Sequence, residues 1–225
     1  MSRERLVLAL DLDDQVAATR LAATLHPYFE VAKVGLELFG AAGPGVVYVL
    51  RDMGYRVFID LKLHDIPNTV ERASRVLGSL GPAFVTFHAS GGEEMLRAGV
   101  AGLVDGAAHA GESLPIALAV TVLTSEGSAS EDLLAERLGV AVKAGCQGYV
   151  AGASDLPTAR ALAPALVSVV PGIREAGASQ NDQRRTATAR EALALGADYL
   201  VVGRTVTASP EPTKAAAALL EAISG

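Results

Sequence analysis

Short apolar runs recur along the chain, separated by longer stretches whose hydrophobic positions follow helical spacing. The runs are Leu6 to Leu10, Val31 to Val34, Val57 to Leu61, Ala83 to Phe87, Ile116 to Leu123, Gly148 to Ala151, Leu166 to Val170 and Tyr199 to Val202. They are nearly continuously apolar, which is the pattern of strands buried on both faces in a parallel sheet. Between them, amphipathic or Ala-rich patterns predict helices over 14–26, 42–53, 67–80, 92–109, 129–144, 155–163, 186–196 and 211–223. A helix follows every strand. Eight such units in 225 residues predict an α/β fold of the (β/α)8 TIM barrel type, organised as one domain over residues 1–225. A doubly wound sheet normally has fewer strands and a reversal of strand order. No linker, low-complexity tail or change in charge marks a second domain.

Local chemistry supports several helix starts. Pro67 suits a first-turn position, where its missing N–H costs nothing, and Ser128 or Ser130 can cap the helix that opens with Glu131 and Asp132. Pro157 follows Ser154 and Asp155 in the same way.

Composition narrows the picture. Half of the residues are apolar, yet Trp is absent and aromatic residues make up 4%, so Ala, Val and Leu are expected to fill most of the core. A formal charge of -6 gives no basic surface for nucleic acid or anionic membrane. The single cysteine, Cys146, excludes an internal disulfide and fits a reducing compartment. Residues 3–11 run from Arg3-Glu4-Arg5 through a short apolar stretch to Asp11, too brief for a signal peptide, and no run is long enough to span a membrane. A cytoplasmic protein is expected.

Polar residues cluster where the predicted strands end. Asp11 closes the first, Lys33 sits in the second, Asp60 and Lys62 finish the third, and His88 ends the fourth. Thr121 and Thr124 end the fifth, Pro171-Gly172 the seventh and Gly203-Arg204 the eighth. In a barrel these carboxyl-terminal ends converge on one mouth, where active sites form. The densest stretch is Asp60-Leu61-Lys62-Leu63-His64-Asp65-Ile66-Pro67-Asn68-Thr69. Removing an ion from water costs several kcal/mol unless it is paired, so such a run is kept as an ion-pair network or as catalytic machinery. Asp11, Lys33, Asp60, Lys62 and Asp65 form a candidate alternating set, in which opposite charges at short range favour each other's ionised form. Asp60 and Lys62, two apart, share one face of a strand. A lysine held among carboxylates suits proton donation better than Schiff-base chemistry, which needs the neutral amine. His88 reads as a hydrogen-bonding residue near the mouth and His64 as a loop residue. Neither is needed for the chemistry.

No metal motif stands out. Cys146 is alone, the four histidines are scattered, and Lys62 competes for the charge that Asp60 and Asp65 would offer a magnesium ion. The seventh and eighth strand exits carry a different signal. Barrels often bind phosphate there through backbone N–H groups and a short helix terminus. Gly203 permits close approach, Arg204 supplies a charge-assisted fork, and Arg174 and Gln183 can close around the same anion. The expected ligand has a phosphate at one end and its reacting group near Lys62.

These residues resemble the orotidine 5'-phosphate decarboxylase family, in its shorter bacterial and archaeal form. The likeness rests on Leu8-Ala9-Leu10-Asp11, Lys33-Val34-Gly35, the run Asp60 to Thr69, Val120 to Ser125, Pro171-Gly172-Ile173-Arg174 with Gln183, and Val201-Val202-Gly203-Arg204. It implies a metal-free, cofactor-free homodimer that converts orotidine 5'-phosphate to uridine 5'-phosphate and carbon dioxide. It further implies that Lys62 protonates C6, Asp60 lies beside the leaving carboxylate, and Lys33 holds the array and, with Asp11, approaches the ribose. By the same likeness Thr124 lies near the pyrimidine, Arg174, Gln183, Gly203 and Arg204 hold phosphate, and Asp65 and Thr69 enter the neighbouring subunit's pocket. A magnesium-dependent sugar-phosphate decarboxylase or synthase, sharing the Asp-x-Lys-x-x-Asp spacing, is the enzymatic alternative. A nucleotide-binding regulator on the same barrel is the non-enzymatic one.

Overall fold

A computed structural model describes residues 3–123, 130–174 and 186–224. Eight parallel strands close a barrel in chain order: β1 (Leu6–Ala9), β2 (Val31–Gly35), β3 (Arg56–Leu63), β4 (Phe84–His88), β5 (Ile116–Val120), β6 (Gly148–Val150), β7 (Val167–Val170) and β8 (Tyr199–Val202). β8 returns to pair with β1, Leu200 opposite Leu6. The connecting helices are α1 (Gln15–Leu25), α2 (Leu36–Ala42), α3 (Gly45–Asp52), α4 (Pro67–Gly78), α5 (Gly92–Ala110), α6 (Glu131–Ala144), α7 (Leu156–Leu162), α8 (Ala189–Ala194), α9 (Arg204–Thr207) and α10 (Pro212–Ser224). The (β/α)8 architecture expected from the apolar runs is therefore present.

Three elements differ from expectation. The helix expected over 42–53 is α3, and an additional helix, α2, precedes it, ending where Gly43 adopts φ 66° and Pro44 has no N–H to continue the ladder. α2 starts directly at the end of β2 with Gly35 as its cap, so no polar loop separates strand from helix. β5 stops at Val120, and the buried Thr121 hydroxyl donates to Val150 O at 2.9 Å instead of facing the mouth. The structure also adds α9, one turn immediately after Gly203. Pro67 and Ser130 act as expected: Pro67 opens α4, and the Ser130 side chain accepts from Leu133 N.

Alternation along the strands divides the core in two. Outward side chains such as Leu6, Leu8, Ala32, Val57, Ile59, Val85 and Leu200 pack beneath the helices. Inward ones, Val7, Val31, Phe58, Phe84, Leu118 and Val169, form a separate buried cluster inside the barrel. Ala, Val and Leu fill most of the core as expected, and inside the barrel two phenylalanines join the valines and Leu118. Phe58 and Phe84 pack with ring centroids 5.6 Å apart, and Tyr199 meets Phe84 edge-on at 5.0 Å. Each large ring buried in this way contributes about 1.5–3 kcal/mol.

α4, which begins just beyond β3, is held by unusually close contact with α5. A methyl group at Gly102 would fall 2.2 Å from Glu71 O, and one at Gly106 would fall 2.0 Å from Arg75 O. Glycine at these positions lets the two backbones touch and fixes α4 against the barrel.

Candidate active site

The carboxyl-terminal ends of the strands surround a cavity of about 570 Å³. Its charged wall is built by β1, β2 and β3. Lys33 Nζ lies 3.0 Å from Asp11 Oδ1 and 3.6 Å from Asp60 Oδ2, while Lys62 Nζ donates to Asp60 Oδ1 at 2.8 Å. Gly35 leaves room for this chain of charges, because a Cβ there would lie 3.1 Å from both Asp11 Oδ1 and Lys33 Nζ. The Asp60 and Lys33 side chains are 14% and 9% exposed, against 35% for Lys62 and 56% for Asp11. Lys62 thus keeps access to the cavity while Asp60, the carboxylate that holds it, is largely buried. Burial alone would push the Asp60 carboxyl up. The Lys33 and Lys62 charges and the hydrogen bonds from Lys62 and Thr86 outweigh burial and hold it below its ordinary value.

Strand alternation does not by itself aim Lys62. Ile59 pairs with Val85 but Leu63 pairs with Phe87, so three residues of β3 bulge against one of β4. Lys62 sits in that bulge at φ 49°, the sole non-glycine residue with positive φ among those described. Such a backbone costs on the order of 1–3 kcal/mol and persists where surrounding contacts impose it. Here the contact is Thr86. Its hydroxyl accepts from Lys62 N at 2.9 Å and donates to Asp60 Oδ1 at 3.0 Å.

The opposite wall comes from β7 and β8. Pro171, Gly172, Arg174, Gly203 and Arg204 line it, with Thr207 at the end of α9. Arg174 is buried, and its Nη1 donates to Ile173 O at 3.0 Å and to Thr205 Oγ1 at 3.4 Å. Arg174 N bonds Ala187 O at 3.0 Å, joining the chain on either side of residues 175–185. Between the walls, Val120, Val122, Leu123, Val150, Val169 and Val201 supply an apolar surface. One end of the cavity thus suits a reacting ionic group, the middle a flat apolar ring, and the far end an anion.

Of the residues singled out in the sequence, Asp11, Lys33, Asp60, Lys62, Arg174, Gly203 and Arg204 line this one cavity. Thr124 and Gln183 lie outside the described residues. Asp65 does not join the alternating set within the chain, so that expectation is corrected. Its carboxylate is exposed and accepts from Ile66 N at 2.7 Å, at the turn into α4, and Thr69 is likewise exposed. His64 and His88 stack at 5.6 Å, and His88 Nδ1 bonds with Ser90, outside the cavity lining. Sequence reasoning missed Thr86, Leu36, Glu37 and the valine surface. Inward parity with Phe84 would have pointed to Thr86, the one hydroxyl in β4.

The model of the orotidine 5'-phosphate decarboxylase / HUMPS family matches residues 4–219. A relative from Moorella thermoacetica named orotidine 5'-phosphate decarboxylase is 42% identical over 230 residues, covering 97% of this chain and 91% of that protein. One of the same name from an Anaeromyxobacter species is 44% identical over 227 residues, covering 96% of each. Among solved structures, orotidine 5'-phosphate decarboxylase from Lactobacillus acidophilus superposes with a TM-score of 0.80 at 34% identity, covering 99% of this chain and 100% of the other. The Pyrococcus horikoshii enzyme gives a TM-score of 0.79 at 26% identity, covering 98% and 99%. Barrel, charged wall and full-length similarity agree, and the chain belongs to the orotidine 5'-phosphate decarboxylase / HUMPS family.

Proposed function

We propose that this protein decarboxylates orotidine 5'-phosphate to uridine 5'-phosphate and carbon dioxide, the final step of de novo UMP synthesis, as a cytoplasmic homodimer using neither metal nor organic cofactor. The observation that carries this reading is the Lys33, Asp60, Lys62 array, which holds one ammonium group at 2.8 Å from a largely buried carboxylate and still open to the cavity. When the bond from C6 to the carboxylate breaks, its electron pair stays on C6. The fixed Lys62 ammonium stabilises that developing charge and then transfers its proton to C6. Asp60 lies beside the leaving carboxylate, where like charges disfavour the ground state. Lys33 and Asp11 take the ribose hydroxyls.

The cationic wall is suited to the phosphate. Gly203 and Arg204 hold it with Arg174 and Gln183, while Thr124 approaches the pyrimidine. Phosphate binding far from the broken bond can then hold the ring against the charged wall. Asp65 and Thr69 complete the site of the neighbouring subunit. Supporting this, both are exposed outside their own cavity, beside Ile66, a large apolar side chain that is 65% exposed.

The test is conversion of orotidine 5'-phosphate by purified protein in EDTA, followed by absorbance and carbon dioxide release. Turnover that survives EDTA is the expected result. No turnover by folded dimer, with activity on a sugar phosphate restored by magnesium, would replace this reading with the sugar-phosphate chemistry that the Asp-x-Lys-x-x-Asp spacing also serves. Uridine 5'-phosphate binding without any turnover would mark a regulator.

A further inference from the structure

We propose that Thr86 is a positioning residue for the decarboxylation, fixing the Lys62 ammonium relative to the Asp60 carboxylate from outside the cavity. This rests on the reading of Lys62 and Asp60 as the reacting groups. Asp60, Leu61 and Lys62 lie between the pairs Ile59 with Val85 and Leu63 with Phe87, so Thr86 alone faces three residues of β3. A bulge of that size has slack, and the positive φ of Lys62 is a conformation its own side chain does not favour.

Thr86 removes the slack through one atom. Its Oγ1 accepts the Lys62 backbone N–H and donates its only proton to Asp60 Oδ1, the same oxygen that receives Lys62 Nζ. The path from Lys62 N through Thr86 Oγ1 and Asp60 Oδ1 back to Lys62 Nζ is a closed ring. The backbone and the tip of one lysine are thereby tied to the same two partners. Thr86 is fully buried, at 0% exposure, and is not part of the cavity lining, so it acts on the substrate only through these groups. Valine has the same shape and can make neither bond.

The experiment compares wild type with Thr86→Val and Thr86→Ser, reading kcat and KM for orotidine 5'-phosphate and the thermal midpoint. Thr86→Val is expected to lower kcat by roughly tenfold to a hundredfold, the scale of a slightly misplaced reacting group. Its KM should stay within about twofold, since the phosphate wall is untouched. Thr86→Ser, which keeps both bonds, should return kcat to within about threefold of wild type. Folded Thr86→Val with wild-type kcat, or equal losses in the valine and serine variants, would overturn the proposal. Where valine prevents folding, Thr86→Cys against Thr86→Ser carries the same comparison, with similar size and much weaker bonding. Failure of the wild type itself to turn over would strike the decarboxylase reading, and is seen before any variant is compared.

Discussion

Phe58 and Asp60 stand two residues apart on β3 and both point into the barrel, yet they occupy opposite environments. Phe58 is 1% exposed and packs against Phe84 in the lower interior. Asp60, one layer higher, faces two ammonium groups and a hydroxyl. The lower layer stabilises by removing apolar surface from water and filling space. The upper layer buries ions whose desolvation offsets most of their attraction, so well-packed apolar residues of the same size would serve the fold as well or better. Stability and chemistry are therefore stacked along the same strands, and the charged layer is retained for what it does at the cavity.

The sharpest way to break this separation is at Lys62. Lys62→Ala should reduce turnover at least about 10⁴-fold, combining the loss of a general acid and of a fixed charge at C6. Its urea midpoint should change little, because the side chain is 35% exposed. Parallel losses of activity and stability would erase the distinction between layers. Phe84→Ala is the mirror case. Removing the ring that contacts both Phe58 and Tyr199 should cost about 3–5 kcal/mol in urea unfolding. Well below its midpoint the variant should keep near-normal KM for orotidine 5'-phosphate.

A smaller effect is expected at the cationic wall. Arg204→Ala should weaken kcat/KM for orotidine 5'-phosphate by about 10- to 100-fold, the scale of a hydrogen bond to a charged group. Unchanged kinetics would remove Arg204 from phosphate binding. The smallest effect concerns acid stability. Asp60 has its folded value held below the unfolded one, so its contribution is complete above the ordinary carboxylate range and is lost as pH falls through the depressed value. Urea unfolding of wild type and Asp60→Asn should therefore converge as pH drops below about 4. A gap that widens on acidification would contradict the direction of the shift.

Much of the barrel was legible because strands buried on both faces must be continuously apolar, and because charged residues stand out against such runs, within β2 for Lys33 and at strand ends for the others. Asp11, Lys33, Asp60 and Lys62 announce themselves in this way. α2 did not, since Leu36, Leu38 and Phe39 follow β2 directly, with Glu37 the one charged residue among them and no turn residue between strand and helix. The bulge at Lys62 was hidden for a different reason. Lysine carries no preference for positive φ, and the conformation is imposed by Thr86 from another strand. Asp65 was legible as a charge, but its sequence neighbours do not reveal that it turns away to bond Ile66 N.

Proton transfer at C6 can be watched directly, without the carboxylate. By microscopic reversibility, the group that protonates C6 also removes that hydrogen from the product. Uridine 5'-phosphate would be incubated with wild type and with Lys62→Ala in deuterium oxide, and the C6 hydrogen followed by proton NMR. Wild type should incorporate deuterium at C6 and folded Lys62→Ala should not. Exchange by the variant at the wild-type rate would show that another group moves the proton.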